Sequence, residues 1–523
     1  MALVHSVLWL MAACIGLALV ARALRLPYAV VLVLAGCGLA FAPGVPRVAL
    51  DPEVALAFFL PPLLMGSAYR TDWHAFRHNL RPILLLAVGF VVFSAFAVAA
   101  LARWLVPELP WAAAIALGAI LAPPDAVAAA AVLQRLRLPR RIVTVLEGES
   151  LMNDATALVL YRLAVVAAAA GTALEPGPAL GSFALLGLGG VAVGWALARA
   201  VLWALIRLHD TLLETALSFL AAYAAFGLAE ALHLSGVMAT VTCGIVMGRA
   251  AHRAFSARTR LESRAVWDFV EFVLTSLVFI LIGLQLNAIL DELGGRGAWE
   301  LAGLAAAVSL ALIALRFAWV FPATYGPRLV PAVRRHDPFP PWRQVFVVAW
   351  AGMRGVVSLA AALALPADFP ERGLLVFLAF CAIMATLVVQ GTTLEWLVKR
   401  LGLVQPPHPD GVAPEEAAAR HAAAEAMLAA MERRAQDVLY GPMAQDMLAE
   451  FRDRAAHLGR VHQGGGAARA ERAARRALRL ESLDAARDVL LRRHAAGELP
   501  EEALAKLAQE LDLEESRLKR ALG

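Results

Sequence analysis

The sequence predicts an all-α membrane protein of about thirteen transmembrane helices arranged as inverted repeats, with a small helical cytoplasmic tail. Three observations carry this. First, 60% of the 523 residues are hydrophobic and only 17% are charged, with mean hydropathy +0.68; a soluble chain is nearer half apolar and a quarter charged. Second, apolar runs long enough to cross roughly 30 Å of hydrocarbon recur along residues 1–400. In lipid every backbone polar group must be satisfied internally, so such runs are read as helices. Third, two of the runs are interrupted near their middles by residues that break helices.

Taken in order, the runs lie near 2–24, 27–44, 53–69, 80–103, 111–133, 147–171, 179–206, 212–232, 234–250, 265–286, 300–325, 345–366 and 374–398. The basic residues between them alternate. Arg22 and Arg25 follow span 1, Arg70, Arg77 and Arg81 follow span 3, and Arg135, Arg137, Arg140 and Arg141 follow span 5. Arg249, Arg253, Arg258, Arg260 and Arg264 follow span 9, and Arg328, Arg334, Arg335 and Arg343 follow span 11. The positive-inside rule then puts the N-terminus outside and the C-terminal tail in the cytoplasm of a cell whose plasma (bacterial inner) membrane holds the protein. The net +5 therefore reports topology, and no nucleic-acid partner is indicated. Span 1 has no Lys or Arg before Arg22, unlike a cleaved signal peptide. Cys14, Cys37, Cys243 and Cys381 all fall inside spans without metal-ligand spacing and read as small packing residues.

Residues 1–400 read as the transmembrane domain, the Pro-rich 401–411 as a linker, and 412–523 as the cytoplasmic helical tail. Residues 401–523 carry 18 basic against 20 acidic residues and no spanning run. Gly464-Gly465-Gly466 divides it, and 467–495 and 499–520 read as amphipathic helices, the second starting at Pro500 with Glu501 and Glu502.

The broken spans are 5 and 12. Span 5 carries Pro123, Pro124 and Asp125; span 12 carries Gly352, Met353, Arg354 and Gly355. A double proline removes two backbone donors in mid-helix. Broken helices at corresponding positions of two halves mark the binding site of inverted-repeat transporters. Spans 5 and 12 lie seven apart, an odd offset that reverses orientation as such a repeat requires, so the two are expected to be crossing helices.

The chemistry concentrates in span 6, where Glu149, Ser150, Asn153 and Asp154 interrupt a Leu/Val/Ala helix. A carboxylate near the bilayer centre costs roughly 2.5–3.5 kcal/mol on insertion scales; a fold does not need that cost, and a carrier of cations or protons does. Residues four apart share a helix face, which pairs Ser150 with Asp154 and Glu149 with Asn153. Hard cations prefer oxygen ligands, so Asp125, Asp154, Ser150 and carbonyls freed at the span 5 break would suit a small monovalent cation. Arg354 is a strong base in mid-span and wants a carboxylate. Glu149 is the expected partner in a structural pair, with Asp154 as the competing assignment. Glu147, Asp268 and Glu271 are candidates for lining a cytoplasmic funnel, or for facing cytoplasmic water. Arg162 and Arg316 are placed nearer span ends, snorkelling or paired locally. No histidine falls in the polar strip, so a His proton relay has no support.

The motif Leu146-Glu147-Gly148-Glu149-Ser150-Leu151-Met152-Asn153-Asp154-Ala155 resembles the hallmark of NhaP-type sodium/proton antiporters, the family that includes the animal and plant sodium/proton exchangers. Similar stretches follow the family's order: Phe59 to Leu64, Ala122 to Val127, Ser235 to Val237 with Gly248-Arg249, Phe279 to Gln285, Gly352 to Ser358, and Leu387 to Thr393. The resemblance covers about residues 5–400. It implies a homodimer, with spans 4–6 and 11–13 forming an ion-carrying core and spans 1–3 and 7–10 a dimerising part. It implies elevator-like movement between them, Asp154 as carrier of Na+ or H+, Asn153 beside it, Asp125 and Ser150 supporting the site, and a Glu149–Arg354 pair. Asn153 in place of a second acid is the pattern of electroneutral members. Two departures bear on selectivity: Pro124-Asp125-Ala126 stands where many members have Thr-Asp-Pro, and Met65-Gly66-Ser67 where some carry an acid.

The expected function is therefore exchange of Na+ or Li+ for H+, the two cargoes competing for Asp154. No cofactor, catalytic residue or resident metal is expected; Na+ at Asp154 and Asp125 is cargo. A K+/H+ antiporter of the same fold is the nearest alternative. An intramembrane aspartyl protease is a distant one, since neither acid has a Gly-x-Gly-Asp-like context.

Overall fold

Each apolar run of the sequence becomes a helix that continues past its apolar part until a cap or proline ends it. The structure, a computed structural model, describes residues 2–24, 26–42, 52–125, 129, 136, 138–172, 176–208, 210–293, 296–405, 414–437, 440–463, 466–496 and 498–520. Among these there is no β-strand.

The first compact unit is Met1–Gln405. Its principal helices are α1 (Ala2–Leu24), α2 (Tyr28–Ala40), α3 (Pro52–Arg70), α4 (Leu80–Leu105), α5 (Trp111–Leu121), α6 (Arg140–Ala170) and α7 (Pro176–Leu208). There follow α8 (Thr211–Ala231), α9 (Gly236–Ala254), α10 (Ala257–Leu284), α11 (Ala298–Tyr325), α12 (Trp342–Trp350), α13 (Val356–Leu363) and α14 (Arg372–Arg400). By length and composition, α4, α6, α7, α8, α10, α11 and α14 suffice to cross a membrane, and α1, α2, α5 and α9 contain shorter apolar helices. The second half of the expected span 5 falls largely outside the described residues.

Two helices begin well before their apolar runs. α6 starts at Arg140, directly after Pro139, and α10 starts at Ala257, where the Ser256 side chain accepts from the Thr259 N–H. An apolar run marks the part of a helix facing lipid or core; the cap decides where the helix starts. Glu147 and Glu149 thus lie two turns or more inside α6 rather than at its entrance.

Two groups of helices pack chiefly within themselves. In one, α10 lies on α2, α9 on α3 and α7, and α8 on α9. In the other, α5 lies on α4 and α6, α11 on α12 and α4, and α13 on α14. Contact is close where side chains are small: a Cβ on Gly36 or Gly283 would strike the backbone of the other helix at the α2–α10 interface, the packing that membrane helices favour. Cys14 and Cys243 are buried, and all four cysteines are free thiols.

α4 and α14 each contain a π-helical turn, Leu85–Phe90 and Thr386–Gln390. Such turns leave carbonyls without their regular partner. The Trp319 indole N–H donates to the Leu85 carbonyl at 2.9 Å, and the Thr386 hydroxyl takes part in the site below.

The second unit is Pro406–Gly523. Its helices are α15 (Pro414–Arg434), α16 (Gly441–Gln463), α17 (Gly466–Ala495) and α18 (Glu501–Arg520). α15 packs on α16 and α17 on α18. Surface ion pairs tie neighbours: Arg475 to Asp453 at 2.6 Å, and Arg487 to Asp512 and Glu515 at 2.7 Å each.

One loop residue fastens several segments of the first unit. Asp337, between α11 and α12, accepts from Arg141 and Arg328 at 2.6 Å each, and Arg81 stands at 3.8 Å. Partial burial alone would raise the Asp337 carboxyl, but hydrogen bonds and charge from Arg328 and Arg141 outweigh it and hold it below the usual carboxylate range. A carboxyl lowered on folding stabilises above its unfolded value and loses that contribution as pH falls through the folded one. The difference in melting temperature between the wild type and Asp337→Asn should be full at neutral pH and shrink once pH drops below about 4; a gap independent of pH would contradict the assignment.

Candidate functional site

Breaking a helix inside a membrane frees carbonyls and N–H groups that water cannot satisfy, and each must find a partner in protein. At the first break α5 ends at Leu121, and Pro123 and Pro124 supply no N–H. At the second, α12 ends at Trp350 and α13 starts at Val356, leaving Ala351 to Gly355 without helical structure. The two breaks satisfy each other. The Asp125 N–H donates to the Met353 carbonyl at 2.7 Å. Arg354 Nε donates to the Leu121 carbonyl at 3.0 Å, and its Nη1 to the Gly352 carbonyl. The Arg354 N–H donates to the Thr386 hydroxyl at 3.1 Å. Asn153 Nδ2, from α6, donates to the Pro124 carbonyl at 2.8 Å.

The glycines of the second break are set by contact. A Cβ on Gly355 would occupy the space of the Asp125 carboxyl group, and one on Gly352 would strike the Arg316 side chain. Asp125 is thereby seated directly against the α12–α13 break.

The Glu149–Arg354 pair expected from the sequence does not form. Glu149 pairs with Arg316 of α11 in a two-pronged contact, Nη1 to Oε1 at 2.6 Å and Nη2 to Oε2 at 2.8 Å. Both side chains are within 1% of fully buried. Arg316 also donates to the Val348 carbonyl near the end of α12, Nε at 3.3 Å and Nη2 at 3.1 Å, and its guanidinium lies over the Phe90 ring, 5.2 Å from the centroid. The physical reason is competition: Arg354 stands among carbonyls that the two breaks release, and it donates to those of Leu121 and Gly352. The expectation that Arg316 sits near a span end is corrected likewise. Arg162 is half-exposed and pairs with Glu230 of α8 at 2.6 Å.

Asp154 is 8% exposed and, among the described residues, neither hydrogen-bonded nor ion-paired. With Asp125 and Ser150 it lines a cavity of about 60 Å³, room for several water-sized groups. The lining also includes Leu60 and Ser67 of α3, Thr275 and Phe279 of α10, Gly355 of the second break and Ser358 of α13. Two carboxyl groups and hydroxyls in a largely apolar cavity form a donor set for a hard monovalent cation or a proton.

Asn153 is fully buried and acts as a clamp on the first break; it is not among the residues described as lining the cavity, and among the described residues its Oδ1 has no hydrogen-bond partner. The three funnel candidates do not line it either. Glu271 takes Arg70 of α3 at 2.6 and 2.8 Å, and Asp268 lies 3.8 Å from the same guanidinium. The sequence reasoning missed Arg316 as partner of Glu149, Thr386 as acceptor at the break, and Arg70 as the hub of Asp268 and Glu271. Arg316 alone carried a visible signal, since an arginine inside an apolar run is rarely incidental.

Two mutually bonded helix breaks beside an unpaired buried carboxyl, in a helical membrane unit, define an ion-carrying membrane transporter. The family model described as sodium/hydrogen exchanger, transmembrane, matches residues 10–400. An uncharacterised Na+/H+ exchanger of Mycobacterium tuberculosis is 35% identical over 506 residues, covering 94% of this chain and 91% of that protein. The sodium, potassium, lithium and rubidium/H+ antiporter of Bacillus pumilus is 31% identical over 370 residues, 68% of this chain and 55% of that one. In fold, the sodium/proton antiporter MjNhaP1 of Methanocaldococcus jannaschii superposes with a TM-score of 0.60 at 19% identity, over 77% of this chain and 99% of that one. The chain belongs to the sodium/hydrogen exchanger family. It is a multi-pass membrane antiporter that exchanges cations for protons, a transporter rather than an enzyme, which removes the aspartyl-protease reading.

Removing one partner of a buried ion pair strands the other charge and costs about 3–5 kcal/mol, whereas replacing both by apolar groups is often neutral. Arg316→Met and Glu149→Leu should each lower the melting temperature in detergent strongly, and the double variant should recover most of the loss. Additive losses would contradict a direct pair.

Proposed function

We propose that the protein exchanges Na+ or Li+ for H+ across the plasma membrane, with Asp154 as the group that holds either cargo. The observation carrying this reading is that Asp154 is buried and faces the cavity without a hydrogen bond or ion pair among the described residues. A charged carboxylate away from water is costly. One proton or one alkali cation neutralises it, and the two exclude each other. The neutral site can then move past an apolar barrier that opposes the empty anion, and this competition is the coupling. Asp125 and Ser150 share the cation, while Asn153 supports the site by holding the break that carries Asp125. With one exchangeable carboxylate doing the carrying, one cation against one proton moves no net charge.

In this reading thirteen spans, α1–α11, α12 with α13, and α14, form inverted repeats with the breaks of spans 5 and 12 in corresponding positions. The core is spans 4–6 and 11–13, and spans 1–3 and 7–10 make the dimerising part of a homodimer. The separate packing of these two sets supports the division. Alternating access is elevator-like movement of the core. The N-terminus is outside, and the tail, 412–523 after the 401–411 linker, is cytoplasmic. Export of K+ against H+ is the second reading, favoured by the potassium and rubidium in the name of the Bacillus pumilus relative.

Proteoliposomes loaded at several pH values and challenged with Na+, Li+ or K+ separate the readings. The wild type should dissipate the pH gradient with Na+ and Li+. Asp154→Asn should abolish exchange with every cation while leaving the melting temperature near that of the wild type, since no ion pair is broken. Normal flux through Asp154→Asn would overturn the assignment, and flux with K+ in preference to Na+ would select the second reading.

A further inference from the structure

Two carboxyl groups and the hydroxyls of Ser67, Ser150 and Ser358 line the cavity; an alkali cation takes oxygen from several directions, whereas a proton needs one oxygen. Asp125, Asp154, Ser150 and Ser358 come from the two breaks, α6 and α13, and the residues that α3 and α10 add to the lining include no acid.

Thr275 of α10 is part of that lining. It is 1% exposed, and among the described residues its hydroxyl has no hydrogen-bond partner. A threonine inside a helix ordinarily satisfies its hydroxyl by donating to the carbonyl four residues back. Thr144, Thr156, Thr215, Thr240 and Thr386 all do so here, at 2.7–3.4 Å. Thr275 does not, although an unused buried hydroxyl costs stability. A polar group left unbonded at a cavity wall is available to a ligand.

We infer that the Thr275 hydroxyl is a cation ligand supplied to the Asp154 cavity by α10, and that it sets the affinity for the alkali cation without entering proton binding. The inference rests on the assignment of Asp154 as carrier. α10 packs with α2 and α3, so the cation receives this ligand only while the Asp154 side of the cavity faces α10. A neutral oxygen from α10 suits a monovalent ion: it completes the shell without adding a charge that would have to be neutralised as well.

Thr275→Val keeps the shape and removes the oxygen; Thr275→Ser keeps the oxygen. Exchange in proteoliposomes titrated with NaCl, LiCl and KCl, and melting temperature in detergent with and without NaCl, test the assignment. Thr275→Val should raise the half-maximal Na+ concentration about 5- to 30-fold, the equivalent of one lost ligand bond, at unchanged maximal rate. It should lose most of the stabilisation by NaCl, and Thr275→Ser should restore both. Without cation, Thr275→Val should melt at or above the wild-type temperature. A half-maximal Na+ concentration within twofold of the wild type would overturn the inference, as would a cation-independent fall in melting temperature, which would give the hydroxyl a structural bond. If the wild type itself neither exchanges nor is stabilised by any of the three cations, the Asp154 reading fails first. If it exchanges normally and Thr275→Val matches it, only this inference fails.

Discussion

Backbone groups released at two helix breaks, in a place water cannot reach, set the terms for everything around them. Had either break stood alone, its carbonyls and N–H groups would have lacked partners. Together they exchange hydrogen bonds: Asp125 N–H to the Met353 carbonyl, Arg354 Nε to the Leu121 carbonyl. In an unbroken α5 the Leu121 carbonyl would have accepted from the Asp125 N–H. Both ends of that lost bond are taken by the other break. The carboxyl group of Asp125 is therefore positioned by main-chain geometry, and Arg354 is committed to carbonyls. Asn153, from the helix that carries Asp154, adds the third clamp.

Span 6 then divides labour between two acids five residues apart. Five residues turn a helix by about 140° from its starting direction, so Glu149 and Asp154 cannot share a face. Glu149 meets Arg316 and is sealed in a bidentate pair; Asp154 meets the cavity. With Glu149 neutralised within the protein, Asp154 is the α6 carboxylate that lines the cavity. The pair also reaches the second break, because Arg316 spends its remaining donors on the Val348 carbonyl.

Much of this was readable from residue order. The apolar runs gave the helices, the prolines and glycines gave the breaks, and the polar strip of span 6 gave the acids. What was not readable was pairing across space. Glu149, Arg316 and Arg354 are three charges inside apolar runs, and nothing in their spacing says which two meet. Arg354 looked like the partner because it lies at a break; the break is what takes it away, by surrounding it with free carbonyls. Arg316 was discounted as lying toward a span end, yet it is wholly buried. The funnel acids were legible as acids, but the gathering of Asp268 and Glu271 on Arg70 depends on the packing of α3 against α10. Thr386 and Thr275 carried no signal at all, since a threonine in an apolar helix usually bonds its own backbone.

The fit between Gly355 and Asp125 constrains any attempt to re-engineer the cargo. The aspartate already fills the volume a methyl group at 355 would need, so a longer acid at 125 has main chain behind it and no slack to absorb an added methylene. Enlarging the cavity from this side would mean rebuilding both breaks at once, whereas the side chains that α3 and α10 add to its lining take no part in the hydrogen bonds between the breaks.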